Sequence, residues 1–313
     1  MIRDNTNSKL NSFNEHFLVP NSAEHLNILL DNDIEAFIDP YLASNSLDNP
    51  IAKEIFERSK RFLEILHRDY ISLNRKHQAI IFLSHLREAN EYHLGYSEDN
   101  KGKGVGPTKA KLIFDSLMQN EFATGQTTIT HAPHHVLLLV AGIGQDNMSD
   151  ILANVCRDIF SKFTFNQCLK FNIPTHDVRI EYFDETQMSW NQKLVKLPIY
   201  EGKPIILVPS SISSGERIYH NHYNWYVSSK HISADILSGR INTITDRYIL
   251  TSSSGARKAI IKNINEDFKK AKKDLGEHVK KYNGSLLGFQ DHAKSHYPPL
   301  ANDKLAGLYN KAS

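Results

Sequence analysis

The chain has 313 residues, 40% of them apolar, with 37 basic and 35 acidic side chains and a formal charge of +2. That length and apolar share predict one large domain or two small ones around a real core. The even balance excludes a polyanion binder that works by bulk charge, so any basic surface has to come from local clusters.

Residues 1–22 are polar and asparagine-rich and read as a loose lead-in. "IEAFIDPYL" (34–42) reads as a short buried strand closed by Pro40. From Pro50 to about Asn74 the period is helical, with Ile51, Ile55, Phe56, Phe62, Leu63 and Leu66 on one face. A second helix is predicted over 76–92. A glycine-lysine loop follows, then a helix from Pro107 to about Gln119, with proline at the position where its missing N–H is not needed. "HHVLLLVAGIG" (134–144) fits a buried strand, although periodicity alone leaves a helix open. "SDILANVCRDIFSKFTFNQCLKF" predicts one long helix, with Ser149 as N-cap and Asp150 in its first turn. Cys156 and Cys168 would lie about 18 Å apart on it, beyond the roughly 7 Å of a disulfide, so both read as free thiols in a reducing compartment. "VRIEYF" (178–183) and "KPIILVPS" (203–210) read as strands. After 211 the texture turns to tyrosine, histidine and serine, and a long basic helix is predicted over 256–282. The expected fold is α+β: a mixed core over 23–210, with a helical, basic region over 211–313 packed on it. No secretory pattern and no run of about 18 apolar residues is present, so a cytoplasmic protein away from membranes is expected.

The glycine-lysine loop carries the clearest chemistry. Gly102, Gly104 and Gly106 alternate among Lys101, Lys103, Lys109 and Lys111, directly before a helix start. Exposed N–H groups there, the positive end of the helix dipole and nearby lysines make an anion site; the bland alternative is a surface turn. "GVGPTKAKLI" (104–113) resembles the hairpin and second helix of helix-hairpin-helix DNA-binding motifs. The resemblance implies phosphate contact through Lys103, Gly104, Gly106, Lys109 and Lys111. The polar loop "GYSEDNKGKG" stands where that family has its first helix.

A second set suits metal-dependent phosphodiester cleavage, which needs acidic oxygen ligands for Mg²⁺ and often a lysine near the attacking water. "YEGKPIILVPS" supplies Glu201-x-Lys203 beside an apolar run, and Asp39, Asp150 and Glu181 are upstream acids in apolar surroundings. These residue types resemble the PD-(D/E)xK nucleases. The resemblance implies Asp150, Glu201 and Lys203 as the centre, with Asp39 and Glu181 as further metal ligands and a restriction-endonuclease-like core. Each acid also has a structural reading: Asp39 as holder of the turn before Pro40, Asp150 as a first-turn aspartate. "VAGIGQDNMSDILAN" and "LPIYEGKPIILVPSS" are similar in style to bacterial genome-defence proteins, which implies an anti-phage or restriction setting.

A third reading needs no metal. "REANEYH" sets Arg87 six residues before His93 and resembles the R-x(4–6)-H motif of HEPN ribonucleases. There a histidine moves the proton and an arginine stabilises phosphate charge. The sixteen histidines otherwise read as surface groups, "HAPHH" and "HNH" included. Basic residues of 257–281 suit a polyanion backbone, and Tyr223, Trp225 and Tyr226 suit base stacking or a core. The leading expectation is a Mg²⁺-dependent nuclease acting on nucleic acid, DNA ahead of RNA. Its competitors are a non-enzymatic DNA-binding subunit, working with a partner protein or a second copy, and a HEPN-like ribonuclease.

Overall fold

A computed structural model describes residues 11–96, 107–125, 127–242 and 245–312. The fold is α+β: helices dominate, and the strands form small antiparallel pairs. Strand β1 (Ala36–Ile38) runs into helix α1 (Pro40–Asn45), and α2 (Pro50–Leu66) follows. Asn49 caps α2: its Oδ1 accepts from the N–H groups of Ile51 and Ala52 at 2.9 and 3.2 Å. Ile55, Phe62, Leu63 and Leu66 are buried on its inner face, as their spacing predicts.

Helix α3 covers only Lys76–Leu83, so the predicted 76–92 helix is cut short. Residues 84–89 are irregular because the chain there finds other partners. The Asn154 side chain bonds Arg87 at both its N–H (3.3 Å) and its carbonyl (2.6 Å). Helix α4 spans Pro107–Met118. Residues 133–139 form helix α5 (Pro133–Leu139) and not a strand. Pro133 opens it, and an apolar run buried on all sides carries no period to tell the two apart.

The predicted long helix is two: α6 (Gln145–Val155) and α7 (Arg157–Phe171). Cys156, with φ −105° and ψ 19°, divides them, and its thiol lies 3.6 Å from the Ile55 carbonyl. The predicted stripe of Ile151, Leu152, Val155, Ile159, Phe160 and Phe163 is buried throughout. Ser149 is no N-cap; it sits inside α6, where its Oγ accepts from the Ile38 N–H at 3.0 Å and ties β1 to the helix. Asp150 is correspondingly mid-helix, and Asp146 is the first-turn acid.

Strands β2 (His176–Asp184) and β3 (Ser189–Leu197) form the largest hairpin, with Arg179 opposite Leu194 and Glu181 opposite Gln192. Strands β4 (Ile199–Tyr200) and β5 (Lys203–Pro204) follow, then β6 (Ser213–Gly215), which pairs with β1. The predicted 203–210 strand is thus two residues long. Ile205, Ile206 and Leu207 are buried but donate to Pro198 O, Glu91 O and Thr164 Oγ1 instead of a ladder.

Helix α8 (Tyr219–Val227) opens the C-terminal part, with Tyr223 buried and Trp225 half exposed. The predicted basic helix over 256–282 is broken into a strand, Arg257–Ala259, helix α9 (Ile261–Phe268), a 3-10 turn at Lys272–Asp274 and a helical turn, Gly276–Lys281. Lys269, extended at ψ 146°, ends α9. Helix α10 (Ser285–His296) closes on α1.

Two hydrophobic clusters cross residue 210. One runs from Ile38 to Ala293, the other from Phe13 to Leu305. The second corrects the loose lead-in: Phe13 is fully buried, and Ser12 caps the short helix it begins. It is completed from the far end of the chain. Asn302 Oδ1 accepts from the Asn27 N–H at 3.0 Å, the Tyr309 hydroxyl donates to Asn27 O at 2.6 Å, and Leu305 is buried beside them. Both cysteines are buried and unpaired. Among the described residues no helix is long and apolar enough to cross a membrane.

Candidate nucleic-acid interface

Each predicted acid is held in a different local setting. Asp39 is fully buried as the N-cap of α1, its Oδ1 accepting from the Tyr41 and Leu42 N–H groups at 2.9 and 3.4 Å. Its Oδ2 accepts from the Tyr219 hydroxyl at 2.7 Å and pairs with Arg217 at 3.2 Å. Asp150 forms an ion pair with Lys109. Burial lifts the Asp150 carboxyl to about 6, against the pull of that lysine, and the nearby Asp146 and Glu88 charges push the same way. Glu181 lies 3.1 Å from His85 Nδ1. Glu201 is an exposed turn residue: with Gly202 it makes the two-residue loop between β4 and β5, both at positive φ (48° and 78°). Such a loop needs glycine or a tolerant residue at those positions, which explains "EGK" without chemistry.

Among the described residues no three His, Cys, Asp or Glu side chains are placed to hold one metal ion. The donor set read from the sequence therefore does not fit Mg²⁺: three of its four carboxylates already serve a cap, a lysine or a histidine, and the fourth lies on a turn. The glycine-lysine loop divides differently. Lys103, Gly104 and Gly106 lie outside the described residues. Lys109, in the first turn of α4, is committed to Asp150, and Lys111 is exposed.

Other predicted residues do come together. Arg87 and Glu181 line one hollow of about 320 Å³ with Arg157, Arg179 and Glu91. His93 and Lys203 line a second of about 200 Å³, and Glu91 and Pro204 belong to both, so the two form one groove. Arg87 stands on the irregular 84–89 segment, clamped by Asn154. Arg179 stands on β2 and Lys203 on β5. Arg157 pairs with Glu91 at 2.9 Å, and its guanidinium also donates to Asn154 Oδ1 at 2.9 Å. That pair cancels in charge. Arg87, Arg179 and Lys203 are exposed, without an ion-pair partner among the described residues, against the single carboxylate of Glu181.

His93 is not a helical residue. It ends a 3-10 turn in the left-handed region (φ 53°) and is 4% exposed. Burial first, and the Lys203 charge second, push its imidazole down to about 4, so it is neutral at pH 7. The ring is nearly enclosed, and what remains open of it lies in the groove wall beside Lys203. Reading the sequence missed Arg157, Arg179 and Asn154. Alternation along "VRIEYF" was the available signal for Arg179 and Glu181 sharing a face; nothing local announces the Asn154 clamp.

No curated protein and no solved structure matches this chain. A family model described as a domain of unknown function, DUF8370, matches residues 19–220, a span that holds every residue of the groove. The chain belongs to the DUF8370 family.

Proposed function

We propose that the protein binds the phosphate backbone of a nucleic acid along the groove of Arg87, Arg179 and Lys203, as a binding or regulatory subunit. One observation carries this reading: three exposed cations without ion-pair partners among the described residues share one continuous groove. Guanidinium forks suit phosphate oxygens, and the clamped backbone at Arg87 lowers the cost of ordering its side chain. Binding of this kind is independent of sequence and falls steeply with salt. DNA stands ahead of RNA as the polymer.

The test is fluorescence anisotropy with labelled single- and double-stranded DNA and RNA over a sodium chloride series. Arg87→Glu, Arg179→Glu and Lys203→Glu are each expected to weaken binding about tenfold at low salt. Each should also flatten the log–log salt slope by about one. Lys111→Glu, away from the groove, should change neither. Absence of binding by the parent protein at low salt, or equal loss in the Lys111 variant, would overturn the reading.

A further inference from the structure

A second hollow, separate from the groove, lies where α6 meets the C-terminal part. After α5 the chain turns through Gly142 (φ 87°) and Gly144 to start α6 at Gln145. The segment after β6 is tied against that start. Gln145 Nε2 donates to Ser214 Oγ at 2.9 Å, and the Arg217 N–H donates to Gln145 Oε1 at 2.6 Å. From the 3-10 turn at 272–274, Lys272 Nζ donates to the Ile143 carbonyl at 2.6 Å. These three pieces enclose a cleft of about 450 Å³.

Its walls carry three kinds of group. Lys272 is the available cation, because the guanidinium of the neighbouring Arg217 is engaged by Asp39, Tyr219 and Pro298 O; His220, whose imidazole is pushed down by burial first and the Lys272 charge second, offers a neutral ring N–H. Asp146 and Glu216 are acceptors, Glu216 already taking the Tyr96 hydroxyl at 3.1 Å. Tyr96, Leu137 and Ile218 give apolar surface, and half of Tyr96 is open to solvent.

Lys272 is the unusual member. Its ammonium has three donors, and one backbone carbonyl takes one of them. Among the described residues it has no ion-pair partner, so a half-buried cation lies in the cleft wall with two donors to spare. Burial alone draws that ammonium down to about 8, still mostly charged at pH 7. A partly desolvated ammonium without a direct ion-pair partner is costly, and an anion hydrogen-bonded to it would offset the cost. The acceptors and the apolar wall add that this anion has hydrogen-bond donors and a flat apolar part. The volume lies in the range of sites that enclose a ligand of drug or nucleotide size.

We infer that this cleft binds a small phosphorylated ligand of the mononucleotide class, with its phosphate on Lys272 and His220 and its base against Tyr96. Asp146 and Glu216 take the donors of the sugar or base. The site does not depend on the groove, and the two are separable by experiment.

Titration calorimetry of the full chain with AMP, GMP, CMP and UMP tests it, with inorganic phosphate and adenosine as partial ligands. At least one mononucleotide should bind with a Kd below about 1 mM, the phosphate alone more weakly and adenosine not measurably. Lys272→Met should weaken the mononucleotide at least tenfold, and Lys272→Arg should restore part of the loss. Tyr96→Ala should weaken the mononucleotide and leave inorganic phosphate unchanged, which keeps the test open if the lysine variant folds poorly. Arg87→Glu, a groove variant, should bind the nucleotide as the parent does. No heat from any of the four nucleotides at millimolar concentration overturns the inference. So does binding that Lys272→Met and Tyr96→Ala both leave intact, or binding of inorganic phosphate as tight as that of the nucleotides.

Discussion

Asp39→Ala is expected to destabilise the protein by about 3–5 kcal/mol, the usual cost of removing one partner from a buried ion pair. The carboxylate is fully enclosed and does three jobs at once. It caps α1, it accepts the Tyr219 hydroxyl, and it balances Arg217, whose side chain is 15% exposed. Its loss leaves the guanidinium without a counter-charge, held only by the Tyr219 hydroxyl and the Pro298 carbonyl, and frees two helix N–H donors. Asp39→Asn keeps the shape and part of the cap but not the charge, so it should fall between the parent and the alanine variant. Urea unfolding followed by circular dichroism measures both. A cost under about 1 kcal/mol for Asp39→Ala would show that the network is not structural, and would reopen Asp39 as a ligand-binding acid.

A second large effect should appear in mild acid. His25, His67 and His93 are buried, and burial holds each imidazole down to about 4, from an ordinary value of 6.5. His134 is pushed lower still, and neither of its ring nitrogens has a hydrogen-bond partner among the described residues. Between pH 6.5 and 4 the unfolded chain takes up these protons and the folded one does not. Stability therefore falls as pH drops through that window, and each of the first three histidines contributes about 3 kcal/mol over its whole length. Asp33 and Asp150 act in the opposite sense. Burial raises them to about 7 and about 6, so the folded form binds their protons more readily and gains stability as pH falls. The histidines outnumber them, and the net expectation is a loss of several kcal/mol by pH 4.5, enough to unfold an ordinary domain. Denaturation midpoints from pH 8 to 4.5 check this. His134→Phe, which places a plain ring beside Tyr41 and Phe56, should shrink the difference between pH 7.5 and pH 5 by about 2 kcal/mol. A pH-independent midpoint, or an unchanged difference in that variant, would contradict the expectation.

Much of the fold's apolar skeleton was legible. The stripes of α2 and of α6 with α7, and the hairpin at "VRIEYF", follow from periodicity, because each has one wet and one dry face. Periodicity fails where burial is complete. "HHVLLLV" is helix and "PIILV" is irregular chain, and both are apolar in unbroken runs. The break at Cys156 and the end of α3 at Leu83 depend on partners about 100 and 70 residues away, which no local window holds. For the site, residue types misled where a backbone role explained them. Asp39 read as a ligand and is a cap; Glu201 read as a catalytic acid and is a turn. Arg87 and Lys203 were picked from different motifs, yet they line one groove. Their meeting is a product of the tertiary fold.

The docking of Asn302, Leu305 and Tyr309 onto the segment around Asn27 has a consequence for biosynthesis. The two partners in the Tyr309–Asn27 bond are separated by 282 residues. At roughly 5–20 residues per second, a ribosome needs about 15–60 s to make the interval between them. Through that time the cluster containing Phe13, Leu26 and Leu29 waits for part of its cover. Leu26 and Leu29 therefore get the cover that Leu305 gives only after most of the fold around them has been made.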